Sequence, residues 1–485
     1  MDSMRRTRKG AAAALAATAL LLAPLTAAAR ADDGDRDGDV RRPPRPSQEH
    51  ETFRSRPGLA AEAPALSTIR TGREDDRLLL TTPGTDSTGG IGIYDNNGDL
   101  VWWKDGVYTN LEATRYRGEP VLSVYRGVGG QGRYVLLDTS YQEVASFAMK
   151  GGYSTDVHDF RISPDGKRVL LMSYDPVPYD LSEHGGPKDG TVTDAVIQEQ
   201  DIETGEVTFE WSALDHIPLT ETQVSLDTPT VDYVHVNSLA YEDDGTLLAS
   251  ARHSSTVYKI DKGSGKIEWR LGGKNSDFSV GSLADAFSFQ HDARRLRDGP
   301  PGPGGPGGTP SLSVFDNGNL ADPPVSRGAV YELDEERMTA KLTRDLQPNP
   351  PEYGSYVGSS REMAGGNQLV SYGETGVMAE FEGADPVWAG AFPEDYFSYR
   401  AERADWKGTP DTAPAVRVRG DGVAMSWNGA TEVERWRIRA GDEVKTVRKD
   451  GFETRAKLPD SGSGSASVAA LDAEGKVLTE RTVKR

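Results

Sequence analysis

The 485-residue sequence predicts an all-β chain, a six-bladed β-propeller followed by a small β-sandwich. Three observations carry that prediction. Runs of β-branched, leucine and tyrosine residues alternate with Gly, Asp and Asn turns, and no long stretch has a helical period. A strand–turn–strand unit recurs, and three copies open on a histidine: His158 before Gly166, His235 before Gly245 and His291 before Gly299. After Trp406 the longer units give way to short alternating strands.

Taken in order, residues 1–31 read as a cleavable signal peptide. Arg5, Arg6, Arg8 and Lys9 precede an apolar run, and Ala29-Arg30-Ala31 supplies a small-x-small cleavage site. The mature protein is therefore expected to be secreted or otherwise extracytoplasmic. The Arg5-Arg6 pair is compatible with twin-arginine (Tat) as well as general (Sec) export. Residues 32–52 are charged and poor in apolar side chains, which predicts a disordered lead-in. No other stretch reaches the apolar length of a membrane span, so none is expected.

Composition narrows the chemistry. The chain has no cysteine, so export brings it no disulfides and thiolate catalysis is excluded. Residues 1–31 carry five basic and one acidic side chain, and their removal takes the formal charge from −20 to −24. So acidic a body repels nucleic acid and anionic membranes, and no nucleic-acid partner is expected. An anionic substrate would have to be drawn in by a few local arginines against that field.

The propeller is expected over residues 53–408. Inner hairpins can be drawn at 110–125 with Gly118 in the turn, and at 158–174, 235–251, 291–315 and 358–373. Outer hairpins fall between them, as at Asn97-Gly98, Thr204-Gly205 and Ser264-Gly265, each closing near a tryptophan: Trp102 and Trp103, Trp211, and Trp269. With an opening strand at 78–82 this makes six four-stranded units, and radial repetition of such units is what a propeller is. The Pro/Gly run at 299–310 reads as an inserted loop. Residues 412–485 contain short strands at 416–418, 423–427, 434–439, 453–457, 466–470 and 477–482, which suit a fibronectin III/Ig-like sandwich.

In a propeller the first strand of each blade lines the central channel, so residues that open it converge at one mouth. His158 and His291 stand eight residues before their turn glycine and His235 ten before its own, a shift that keeps the strand face. Asn110 holds the matching place eight before Gly118, Asn237 lies two beyond His235, Arg252 ends the partner strand, and Arg294 follows His291 by three. A histidine of a β protein is ordinarily a satisfied polar group, and His50, His184, His216 and His253 are read that way. His253 directly follows Arg252, and on an extended strand only one of the two faces the channel. No local ligand pair such as H-x-x-x-H is present, so neither metal nor cofactor is expected. A neutral imidazole flanked by arginine and amide donors suits covalent transfer of a phosphoryl or a sulfuryl group, and spacing does not choose between them.

Several pieces, taken in order, carry a resemblance: Phe53-Arg54-Ser55-Arg56-Pro57, His158-Asp159-Phe160, His235-Val236-Asn237-Ser238, Ser250-Ala251-Arg252, Leu271-Gly272-Gly273, Phe289-Gln290-His291-Asp292 and Phe315-Asp316-Asn317-Gly318. Together they resemble the arylsulfotransferase family that does not use the nucleotide sulfate donor, over roughly residues 53–405. The resemblance implies a six-bladed propeller in which His291 is transiently sulfurylated and passes the group from a phenolic sulfate donor to a phenol acceptor. It implies His158, His235, Asn237 and Arg252 around the sulfuryl group; Arg294 and Asn110 are added as substrate contacts from their placement. The chain departs from the better studied bacterial members in lacking cysteine and in carrying a C-terminal sandwich in place of a long N-terminal one. Two other classes stay open: a non-catalytic propeller that binds a ligand or polymer, and a hydrolase, metal-dependent or not, on the same scaffold.

Overall fold

The computed structural model describes residues 40–50, 52–59, 63–127, 132–296, 310–460 and 464–484. Within them the chain is all-β, with short 3-10 turns between strands. The expected signal peptide and nearly all of the 299–310 insert lie outside the described residues.

Continuous apolar runs make strands that bury both faces. In Leu78–Gly84, Leu79 packs with Tyr94 and Trp388, while Leu80 packs with Ile91, Ile93 and Leu122. The split recurs in Arg168–Tyr179, where Leu170 and Met172 face one core and Val169 and Leu171 another. In Leu247–Ala251, Leu248 faces away from Leu247 and Ala249. Such strands pair into six sheets of four or five strands each. Six hydrophobic cores lie between neighbouring sheets, and a seventh belongs to the C-terminal strands.

The inner edges of the six sheets are hydrogen-bonded one to the next in a cycle. Asn110 Nδ2 donates to His158 O at 3.1 Å, Leu239 N to Asp159 Oδ2 at 2.7 Å, and Asn237 Nδ2 to Gln290 O at 2.7 Å. Ser313 Oγ donates to Ser360 O at 3.0 Å, Gly358 N to Tyr399 O at 3.1 Å, and Ala113 N to Glu402. One sheet is completed from far along the chain: Phe397–Ala404 pairs antiparallel with Leu78–Gly84. Ser67–Arg70 likewise joins Asp385–Ala391. Neither long-range pairing was foreseen, because each strand's partner lies some three hundred residues away and leaves no local pattern.

The lead-in at 32–52 is corrected in its second half. Val40 is buried, Arg42 N donates to Asn349 O at 2.8 Å, and the Arg45 guanidinium donates to Phe392 O and Thr375 O, both at 2.8 Å. Arginine bonded to backbone carbonyls holds this segment, a device that apolar content does not reveal.

The C-terminal strands form two sheets. Ala415–Arg419, Gly422–Ser426 and Glu453–Lys457 make one; Glu443–Arg448, Arg435–Ala440, Ser465–Leu471 and Val477–Lys484 make the other. Met425, Trp436, Ile438 and Val468 fill the core they share. Asn428 clasps the Trp103 backbone, accepting from N and donating to O, each at 2.9 Å. Glu443–Arg448 was missed by the sequence reading; its residues are almost all exposed, so it shows no apolar alternation.

Candidate functional site

Where the inner strands begin, the backbone turns left-handed at non-glycine residues: Asn110 (φ 60°), His235 (φ 54°), Asp292 (φ 54°) and Val357 (φ 52°). Register breaks accompany three of them, between Thr109 and Glu112, between Val236 and Ser238, and between His291 and Arg294. A bulge re-aims side chains and suspends strict alternation. Across the inner strands the opening residues fall into two groups, one of imidazoles and one of ion pairs.

The first group is brought together as expected by His158, His235 and His291. The His158 and His235 rings lie 4.9 Å apart, centroid to centroid. Tyr399 stands between His158, at 5.5 Å, and His291, at 6.4 Å, and Tyr174 lies against His158 and His235 at 5.4 and 5.1 Å. Each imidazole gives its Nδ1 to an oxygen: His158 to Asp156 at 2.6 Å, His235 to Asp232 at 2.5 Å, and His291 to Asn317 Oδ1 at 2.7 Å. The Asn317 amide cannot be reversed, since its Nδ2 already donates to Gly354 O and Val357 O at 2.7 and 3.1 Å, and carbonyls only accept. His291 therefore carries its proton on Nδ1 and a lone pair on Nε2.

Burial holds the His291 imidazole well below its ordinary pKa, and the Arg252 charge and the neighbouring histidines add to that. Burial would raise Asp156 and Asp232, yet the adjacent imidazoles outweigh it and keep both carboxyls low. These acids sit two and three residues before their histidines, a signal present in the sequence but unused. Asn317 stands in the Phe315-Asp316-Asn317-Gly318 piece, where the motif was noticed and the residue given no role.

Arg252 reaches this cluster. Its Nη2 donates to Ser355 O at 2.8 Å, its guanidinium lies 4.9 Å over the Phe289 ring, and its buried Nε has no hydrogen-bond partner. Among the described residues no carboxylate pairs with it within 4.0 Å, which leaves donors for an anion. His253 is a correction. It was set aside because it follows Arg252, but the strand ends at Ala251, and in the turn beyond it both side chains serve the cluster. Its ring lies 4.7 Å from His235, its Nδ1 donates to Asp232 O at 2.5 Å, and burial, with the His235 charge next, pushes its pKa down to about 3.

The second group lies on the same strands. Arg161, Arg294, Arg361 and Arg400 interlock with Glu112, Asp159, Asp292 and Glu402. Arg400 meets Asp159 at 3.2 Å and Glu112 at 3.3 Å; Arg361 meets Asp292 at 2.9 Å, Glu112 at 2.6 Å and Glu402 at 3.1 Å. Arg294 belongs here, 2.9 Å from Asp159 and 2.8 Å from Asp292, so its expected role as a substrate contact is corrected. Asn110 is also spent: Oδ1 accepts from Arg400 at 3.0 Å, and Nδ2 donates to Tyr134 Oη at 2.9 Å and His158 O at 3.1 Å. Asn237 is wholly buried on Gln290 O, not beside His235 on one face, because the bulge intervenes. The sequence signal for this plug was the i, i+2 pattern of Asn110 and Glu112, Asp159 and Arg161, Asp292 and Arg294, and Arg400 and Glu402.

Metal-ligating atoms of Asp232, His235 and His253 lie within 4.8 Å of one another, and this donor set suits a divalent transition metal. Both Nδ1 atoms of the two histidines are engaged with Asp232, so ligation there would use the outward nitrogens or displace those bonds.

The described residues thus bring together three oriented imidazoles, that of His291 held neutral by burial, and an arginine with no carboxylate partner among them. The chain belongs to the arylsulfotransferase (ASST) family, whose model matches residues 112–391. No curated protein matches the chain. Among solved structures, a protein of unknown function from Bacteroides caccae aligns at 14% identity over 67% of this chain and 98% of its own, with a TM-score of 0.41. A putative 6-phosphogluconolactonase from Bacteroides fragilis aligns at 13% identity over 77% and 100%, with a TM-score of 0.38. Neither likeness bears on the chemistry.

Proposed function

We propose that this chain is an exported aryl sulfotransferase that works through a sulfohistidine on His291. His291 Nε2 attacks the sulfur of a phenolic sulfate ester, the S–O(aryl) bond breaks, and the phenolate departs. The phenol's pKa of about 10 makes it a fair leaving group. A second phenol then attacks the same sulfur, the S–N bond breaks, and the Nε2 lone pair returns. His158 and His235, each backed by a carboxylate, give the leaving oxygen its proton and take the acceptor's. Arg252 holds the sulfuryl oxygens as charge moves onto them. Asn237 acts at one remove, fixing Gln290 beside the nucleophile.

The observation that carries this reading is the His291–Asn317 bond, which fixes the tautomer a nucleophile needs in a site where burial keeps it neutral. The same reading takes residues 53–408 as a six-bladed propeller, supported by the six sheets and their cycle of inner-edge bonds, and residues 412–485 as a sandwich docked on it. Residues 1–31 would direct export. No helix among the described residues is long and apolar enough to cross a membrane.

The test mixes purified protein with an aryl sulfate that releases a coloured phenol, with and without a second phenol. Acceptor-dependent colour and, without acceptor, a sulfuryl adduct on the His291 peptide are expected. His291→Ala should lose at least about a thousandfold in transfer, as removal of a nucleophile does; an unchanged rate would end the proposal. A metal-dependent hydrolase is the second reading, favoured by the Asp232, His235 and His253 donors. Acceptor-independent release that a chelator abolishes would select it.

A further inference from the structure

The segment from Tyr353 to Val357 runs beside the nucleophile and is fastened to it. Asn317, which orients His291, donates to both Gly354 O and Val357 O. Ser355 O accepts from Arg252 at 2.8 Å and from Asn319 at 3.0 Å, while Ser355 N and Oγ donate to Glu374 at 2.5 and 2.9 Å. Gly354 N donates to Ser326 Oγ at 3.0 Å. A backbone held from so many sides has little freedom left to lose when a ligand arrives.

Its side chains are nevertheless turned outward. Tyr353 is 40% and Tyr356 44% exposed, and Leu320, next to the Asn319 that also binds Ser355 O, is 62% exposed. All three are chain neighbours of groups that meet at Ser355 O: Tyr353 and Tyr356 flank Ser355 in its own segment, and Leu320 follows Asn319. Neither tyrosine hydroxyl has a hydrogen-bond partner among the described residues. Tyr353 also senses the arginine: burial raises its phenol, Glu374 adds to that, and Arg252 opposes both. An apolar, partly aromatic rim thus adjoins Arg252, which has no carboxylate partner among the described residues.

We propose that Tyr353 and Tyr356, with Leu320, form the ring-binding side of the site, taking the aryl group of donor and acceptor while the sulfate end reaches past Arg252 to His291. This rests on the sulfotransferase reading and gives it a specificity device. Aromatic rings gain from offset or edge contact with tyrosine faces beyond the area they bury, and an aryl sulfate presents one apolar and one anionic end to match rim and arginine. Aryl esters are selected over alkyl esters by these contacts as well as by leaving-group strength.

Two readouts test it. In steady-state assays with p-nitrophenyl sulfate and phenol, the double variant Tyr353→Ala/Tyr356→Ala should raise KM by about tenfold with kcat little changed, and Tyr→Phe at both sites should restore KM. Calorimetric titration of phenyl sulfate into the His291→Ala protein, and into that protein carrying the two alanines, reads binding without turnover; the alanines should weaken it by a similar factor. A KM and a Kd that stay within about twofold in the alanine variants would overturn the rim. If the wild type transfers nothing while the alanines still weaken binding, the rim stands and the sulfotransferase reading falls. Absence of both transfer and binding removes both.

Discussion

The imidazole cluster and the ion-pair plug are built from the same strands, often from adjacent residues, yet they follow opposite rules. In His158-Asp159 and His291-Asp292 the histidine joins the cluster and the aspartate the plug. In the plug four guanidinium groups face four carboxylates, although the Nε atoms of Arg294 and Arg400 have no hydrogen bond, and burial, which alone would raise Asp159 and Asp292, is outweighed by the arginines around them. The cluster is left open: the Nε of Arg252 is buried without a partner, and His291 is held neutral. What separates the two is charge pairing: each plug arginine faces a carboxylate, whereas Arg252 has none among the described residues. The plug also explains how so acidic a chain keeps arginine buried among carboxylates, with Arg252 standing apart from it.

If this division is right, changes to the plug should read as stability and changes to the cluster as rate. The largest effect is expected from Arg400→Met, which strips a shared cation from Glu112, Asp159 and Asp292; removing one partner of a buried ion network costs about 3–5 kcal/mol, measurable by urea denaturation. A loss under 1 kcal/mol would mean the plug is only filler. Asn317→Leu comes next. It frees the His291 tautomer and should slow the burst of phenol from the donor by about a hundredfold, with KM less affected, which stopped-flow colour release would show.

Acidity separates the regions further. The donor half-reaction needs His291 unprotonated, and its pKa is held well below the ordinary imidazole value, so the acid limb of the rate should lie well under pH 6.5. A limb at the ordinary value would show that His291 is solvated and that some other group is limiting. For stability the sign is worked out from His253, whose folded pKa is down at about 3. The unfolded chain takes up its proton near pH 6.5 and the folded one does not, so this contribution is complete above about 6.5 and lost as pH falls toward 3. His253→Phe should flatten that part of the denaturation profile. It should change transfer by no more than about threefold, the smallest effect, because it touches His235 and not the sulfuryl path.

The repeated hairpins, the outer tryptophans and the matched histidines were legible in the sequence because each depends on local period and spacing. That route also grouped His158, His235, His291 and Arg252, which the structure brings together. Arg294, Asn110 and Asn237 were misjudged by counting along ideal strands, since a bulge at the start of each of their three strands turns alternate residues elsewhere. His253 was missed for the converse reason, the strand having ended one residue before Arg252.

The sequence by itself determined the all-β class, the repeat and which residue types open each inner strand, because strand periodicity and turn chemistry are properties of short segments. Only the tertiary structure decided which arginine is left for an anion, which oxygen orients His291, and how Phe397–Ala404 completes the first sheet. Those outcomes depend on which groups from distant segments share a desolvated centre, where every charge must find a partner or be held neutral.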